Sequence, residues 1–474
     1  MKKTIHTLFI LLVSLFCIPV QGQDSYDRVV GSWLGKLEVG GTSLRLVFNI
    51  KVEESGQLSA TLDSPDQGAS GIGMGKVTLT GDSLKIEAQV IMGFYQGAIT
   101  SDSTQEGTWN QAGRSFPLHM KKQKEAFVLN RPQEPHPPYP YQEFMVSFEN
   151  EEQQFSLGGT LTIPAGEGPF PAVVLVSGSG SQNRDEELFG HKPFKVIADF
   201  LTRNGVVVLR YDDRGVGSSG GSYAGSTSAD IATDARAAIE YLFQRDEVDP
   251  LKVGVIGHSE GGMIGIMLAS EYEDIAFLIT LAGPGVDGKK ILLDQSEYIS
   301  RLSGLQESVI EDNRIVMNRV YDLMGSNETH EEWAEQVESF IGDYYKRKGM
   351  DQFSEEDIEQ INHRVLSSIP EAAYAWLRYF VLFDPADYLG NIGRPVLALN
   401  GDKDCQVLAE ENINAIREGV LASGNKNVST RIIPDLNHLF QPCETGLPAE
   451  YGEIEITFDQ ATLESIAQWI GEVL

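Results

Sequence analysis

The chain has 474 residues, a formal net charge of −31 and 48 glycines. That length allows about two or three domains and a large core that needs no disulfide or metal. So acidic a surface repels phosphate backbones and argues against a nucleic-acid partner; its plainest meaning is solubility.

Residues 1–22 read as a secretory signal peptide. Lys2 and Lys3 form a basic start, an apolar run follows from Leu8 to Ile18, and Val20-Gln21-Gly22 offers a cleavage site. The apolar run is too short to span a bilayer, which needs about 20 residues, and no other segment approaches that length. Export to a periplasmic or extracellular location follows as an expectation. Cys17 is preceded by Phe16, where a lipoprotein signal would carry a small residue. Export leaves Cys405 and Cys443, too few for a disulfide scaffold or a Cys-only zinc site.

Residues 24–130 alternate apolar and polar positions in short runs, such as Ser43–Val52, Gly75–Thr80 and Ser83–Val90, divided by turn clusters. This pattern predicts an all-β barrel or sandwich. The segment 131–141, RPQEPHPPYPY, holds five prolines in eleven residues and reads as a stiff linker. From 142 the pattern changes to strands alternating with helices. Strands are predicted near Glu143–Phe148, Phe155–Ile163, Ala172–Val176, Val206–Tyr211, Val253–Ile256, Phe277–Leu281, Val396–Leu399 and Ser429–Ile433. Helices are predicted at Phe194–Arg203, Ala229–Gln244 and Gly262–Ser270. Continuous Val/Ile/Leu strands between helices mean a mostly parallel α/β sheet covered on both faces. Residues 286–393 are too long for a crossover and carry helical periodicity with bulky Trp333, Tyr344, Tyr345, Trp376 and Tyr379. They read as a helical cap inserted between the two parts of the α/β domain, 142–285 and 394–474.

Gly-x-Ser-x-Gly occurs twice, so context has to choose. At 257–261, GHSEG follows the strand KVGVI directly and precedes a helical run. That is the setting of a nucleophile elbow, with Ser259 on a strained turn and small residues on either side. The second match, at 217–221 around Ser219, lies in a glycine-rich loop with no helix behind it. The same loop hides Gly215-x-Gly217-x-x-Gly220, but a dinucleotide turn would open a helix at once. No P-loop pattern occurs, and neither a metal nor a cofactor is expected.

A serine hydroxyl needs a base, usually a histidine held by a carboxylate. Of eight histidines, His6 lies in the signal, His119 in the β region, His136 in the linker, and His330 and His363 in the cap. His191 precedes a helix far from the elbow, and His258 adjoins the serine but points elsewhere. His438 remains, just past the last predicted strand. The loop NGDKDCQV after Val396–Leu399 offers Asp402 and Asp404; Asp404 is preferred on reach and Asp402 as a turn former. Two backbone N–H groups must meet a developing oxyanion. Glu260, after the serine, supplies one; Ser179, or else Gly180, in the loop SGSGSQNRDE at 177–186 supplies the other.

Taken together, these residues resemble the α/β-hydrolase superfamily over about 142–474. The order Ser259, Asp404, His438 is the family's. The segment RYDDRGVGSS at 210–219 is similar to the family's structural Asp-x-Arg-Gly loop. The nearest likeness is to exported bacterial carboxylesterases with an N-terminal β domain and an SGSG-x-x-x-RD loop. The resemblance implies a serine esterase acting on a small acyl ester. An exported aminopeptidase or oligopeptidase-like enzyme is the alternative, and an inert binding protein on the same fold is the third reading. Cys405 follows the proposed acid and Cys443 lies five residues after the proposed base. A disulfide stapling the two loops therefore stays open.

Overall fold

An 8-stranded sheet carries the second half of the chain. In chain order its strands are β10 (Gln142–Asn150), β11 (Phe155–Ile163), β12 (Phe170–Val176), β13 (Val207–Tyr211), β14 (Val248–His258), β15 (Leu278–Leu281), β16 (Val396–Gly401) and β17 (Val428–Ile433). Their spatial order is β10-β11-β13-β12-β14-β15-β16-β17. β10 and β11 run antiparallel to their neighbours, and the strands from β13 to β17 are parallel. The predicted strands therefore appear with small boundary shifts, and the sheet is mixed through its first two. This computed structural model describes residues 26–39, 42–67, 69–125, 127, 129–348 and 354–474. The proposed signal peptide lies outside the described residues, as does the part of the predicted cap at 349–353.

Two separate hydrophobic cores explain why the central strands carry apolar residues on both faces. One face of the sheet packs against helices α2 (Ser228–Phe243) and α3 (Glu260–Glu271), burying Val174, Val255, Ile264 and Leu268. The other packs against α1 (Pro193–Arg203) and the last helix, burying Val173, Ile256, Phe194 and Trp469. A strand buried on both faces has no polar side to show.

Between β15 and β16 stand the cap helices α4 (Gly288–Leu302), α5 (Glu307–Ser326), α6 (His330–Arg347), α7 (Glu355–Ser368) and α8 (Glu371–Leu382). They have their own core around Trp333, Val320, Val337, Ile341 and Tyr374. The indole of Trp333 donates to the Val320 carbonyl at 3.0 Å, so the large ring is buried without an unpaired polar atom.

The chain divides into two compact units, the second beginning at Leu129. Among the described residues the first unit holds nine strands, β1 (Gly31–Val39), β2 (Thr42–Val52), β3 (Leu58–Ser64), β4 (Ala69–Gly73), β5 (Val77–Thr80), β6 (Ser83–Ala88), β7 (Gly93–Ser101), β8 (Thr104–Gln111) and β9 (Arg114–Lys122), in the order β4-β3-β2-β1-β9-β8-β7-β6-β5 with antiparallel ladders. Phe48 of one strand meets Tyr95 and Trp109, which lie on strands far from it in that order, at 5.8 and 6.1 Å. The sheet therefore curls over a single core built on Trp33, Phe48, Tyr95 and Trp109. The Pro-rich segment 131–141, read from the sequence as a stiff linker, is bonded into the second unit. Arg131 donates to the carbonyls of Phe189 and Gly452 at 2.8 and 2.9 Å, and Gln133 donates to that of Phe458 at 2.7 Å. Proline prevents helix and sheet there, but these side chains still anchor the backbone.

The three residues Asp212-Asp213-Arg214 after β13 each brace a different neighbour. Asp212 takes a bidentate contact from Arg184, with Nε at 3.0 Å and Nη2 at 2.5 Å. Asp213 spans the loop 177–182, accepting from the Ser177 hydroxyl at 2.9 Å and the Gln182 amide at 2.8 Å. Burial pushes the Asp213 carboxyl up to about 7 despite those two bonds. Arg214 meets Asp234 at 2.7 Å, both side chains almost fully buried, and Asn150 donates to the other Asp234 oxygen at 2.6 Å. Removing one partner of such a pair strands a buried charge. Asp234→Ala should therefore lower the free energy of unfolding by about 3–5 kcal/mol in denaturant titration.

Candidate active site

Ser259 sits between the end of β14 and the start of α3 with φ 52° and ψ −118°. A non-glycine residue in this region is strained, and the surroundings must hold it there. They do so by close approach. A Cβ on Gly257 would lie 2.0 Å from the Gly261 carbonyl oxygen, and one on Gly261 would lie 2.1 Å from that of Val176. Gly262 packs just as tightly, its Cβ position 2.8 Å from Gly283 Cα. These contacts bring the helix start against the ends of β12 and β15. The second pentapeptide has an ordinary structural role: Ser219 Oγ donates to the Asp212 carbonyl at 2.6 Å and accepts from the Gly158 amide at 3.0 Å.

The loops after β16 and β17 meet beside the elbow. His438 Nδ1 lies 2.8 Å from Asp404 Oδ2, with both side chains buried. Asp404 Oδ1 accepts the amides of Gln406 and Val407 at 2.8 and 2.9 Å, so every face of the carboxylate has a donor. Asp402 turns away, accepting the Asp435 amide at 2.7 Å and shaping the turn. His438 and Ser259 line one cavity of about 420 Å³.

The loop after β12 presents three consecutive amides. That of Gly178 is bound to Glu186 Oε1 at 2.7 Å, and that of Gly180 to the Tyr223 hydroxyl at 3.0 Å. The Ser179 amide has no partner among the described residues. Glu260 is the first residue of α3, and its amide has no carbonyl to bind within the helix. Neither amide is taken up by a backbone or side-chain acceptor among the described residues.

The side chain of Glu260 was not singled out by sequence. It is 2% exposed, and one oxygen accepts Ser228 Oγ at 2.5 Å and the Trp376 indole at 2.8 Å. Burial raises its carboxyl above the usual range, and hydrogen bonds from Ser228, Trp376 and Ser179 oppose that rise. It thereby links the elbow to cap helix α8. Also missed were Glu186 and the inward face of His258, because neither contact is local in sequence. His191 is buried away from the site, with Nδ1 2.8 Å from Thr457 Oγ1. Cys405 and Cys443 are free thiols. Each sulfur faces a backbone carbonyl instead of the other, Cys405 that of Gly446 at 3.2 Å and Cys443 that of Asp435 at 3.6 Å.

The cavity wall is largely apolar. Ile291, Leu292 and Phe380 come from cap helices, and Leu188, Phe189 and Tyr451 from loops of the α/β domain. Among the described residues no Lys or Arg lines it, and the one lining carboxylate, Glu186, is already held. Among the described residues no group of His, Cys, Asp and Glu is arranged to hold a metal ion, and no helix is long and apolar enough to cross a membrane.

This architecture matches what related chains show. A family model described as serine aminopeptidase, S33, matches residues 191–351. Esterase EstD of Thermotoga maritima is 30% identical over 332 residues, covering 68% of this chain and 68% of that one. Two solved esterases align more distantly. One, from Pyrococcus furiosus, has a TM-score of 0.42 at 17% identity over 74% of this chain and 98% of its own. The other, Est1E of Butyrivibrio proteoclasticus, has 0.40 at 16% over 69% and 98%. The chain belongs to the α/β-hydrolase superfamily of serine hydrolases.

Proposed function

We propose that this chain hydrolyses carboxylic esters of small, uncharged molecules through an acyl-enzyme on Ser259. The observation that carries the reading is the His438–Asp404 contact of 2.8 Å in the cavity that Ser259 lines. His438 takes the hydroxyl proton as Ser259 attacks the acyl carbon, then returns it to the leaving alcohol. Asp404 holds the imidazole in the tautomer whose Nε2 is bare, and stabilises the charge it acquires. The amides of Ser179 and Glu260 receive the oxyanion, each such donor being worth roughly 3 kcal/mol. Water, activated by the same histidine, releases the acid.

The cavity favours esters over peptides. An enzyme that removes terminal residues must hold a charged amine or carboxylate, and among the described residues the lining offers no Lys or Arg and no unengaged carboxylate. The aminopeptidase name of the matching family model keeps the peptide reading as the one to test against.

A fluorophosphonate probe should label the wild-type protein, and Ser259→Ala should abolish labelling; a mutant that still labels refutes the nucleophile. Asp404→Asn should cut kcat by roughly 10⁴-fold by presenting the wrong tautomer. p-Nitrophenyl acyl esters should turn over and aminoacyl anilides should not. Leu292 lines the cavity from α4 without belonging to the fully buried core. Leu292→Ala should therefore move the acyl-length optimum upward and change the long-to-short ratio of kcat/KM by about tenfold. Leu292→Phe should move it the other way.

A further inference from the structure

His258 precedes the nucleophile in β14, and its side chain is turned inward and 6% exposed. Its Nε2 lies 3.0 Å from the His438 carbonyl oxygen, which can only accept, so Nε2 carries a proton. Its Nδ1 lies 2.8 Å from Glu186 Oε1. That oxygen already accepts the Gly178 amide at 2.7 Å, an arrangement suited to an ionised carboxylate. Glu186 is itself 2% exposed with a backbone φ of 49°, so the carboxylate is fixed where it stands.

One ring thus ties together two loops that approach the serine from opposite sides. Through Glu186 it holds the loop that carries the Ser179 amide, and through a carbonyl it holds the backbone of His438. Four charged or titratable groups face it or its partner. Glu186 faces it from the loop after β12 and Asp404 from the loop after β16, while Asp213, after β13, bears on Glu186. The His438 ring stands 4.8 Å away. Two carboxylates therefore face two imidazoles, so a charge on His258 has a counterion other than the one His438 needs during the reaction. Burial works against that charge, but the Glu186 carboxylate outweighs it and holds the His258 pKa above its ordinary value.

We propose that His258 is a positioning residue of the hydrolytic site, a doubly donating imidazolium clamped between Glu186 and the His438 carbonyl that fixes the oxyanion loop and the base loop on the elbow. This rests on the reading of Ser259 and His438 given above.

The protonation state can be read in the wild-type protein by ¹⁵N-histidine NMR, with His258 assigned by its loss in His258→Gln. Across a pH titration an ordinary histidine loses one ring proton with a pKa near 6.5; His258 should keep both ring nitrogens protonated to a higher pH than that. His258→Gln and Glu186→Gln should lower kcat on p-nitrophenyl butyrate by roughly 10- to 100-fold with KM within about twofold. The rate of fluorophosphonate labelling should fall in parallel. A ring proton on His258 lost at or below the ordinary histidine pKa, or a kcat unchanged in a folded His258→Gln protein, overturns the proposal. If that variant fails to fold, the wild-type spectrum decides, with the ring resonances assigned from Glu186→Gln. Ser259→Ala separates the two levels. Labelling that survives in it sinks the serine-hydrolase reading itself, whereas labelling lost there with an unaffected His258→Gln sinks only the role of His258.

Discussion

The close approach of backbones around Ser259 is the constraint on which the rest of the site depends. The residues at 257 and 261 have no room for a Cβ, which would lie within 2.1 Å of a carbonyl oxygen in either case. Glycine there allows the helix start to lie against the end of β12, and that contact in turn holds the serine at φ 52°. A strained residue persists only where its surroundings over-determine it. Here the surroundings are β12, β15 and the first turn of α3, all of them held by the two cores that sandwich the sheet.

Around this fixed turn the protein arranges carboxylates, and each has a distinct partner. Asp404 serves His438, Glu186 serves His258, Asp213 braces both ends of the loop that carries Ser179, and Glu260 takes the indole of Trp376. A buried charge is tolerable only when paired or hydrogen-bonded. The acidity of the whole chain says little about these groups, because surface charge is solvated and these are not. The Glu260–Trp376 contact also explains how a cap inserted after β15 can help shape the cavity: one of its aromatic walls is bonded to the residue next to Ser259.

Much of the fold was legible in the sequence because burial on both faces leaves an unmistakable run of Val, Ile and Leu. The strands near 172–176, 253–256 and 396–399 are of this kind; the structure extends the first and last by two residues each and the middle one to Val248–His258. What the sequence did not show of the stiff segment 131–141, its bonds into the second unit, has an equally physical reason. Proline content reports what backbone structure is forbidden, and says nothing about whether Arg131 and Gln133 find carbonyls to bind. The open question of a Cys405–Cys443 bridge was of the same type. Nearness of two loops does not set the direction of two sulfurs, and both turned to backbone carbonyls.

The sequence by itself determined the order of strands and helices, the turn at Ser259, and the two loops that carry Asp404 and His438. These follow from local periodicity, glycine placement and chain order. Only the tertiary structure decided which of Asp402 and Asp404 faces the imidazole, which amide of 178–180 is left open, and that His258 reaches Glu186 across 72 residues of chain. The reason is that a side chain's direction and its partner are set by what packs against it. Those neighbours come from distant segments whose meeting no local pattern records.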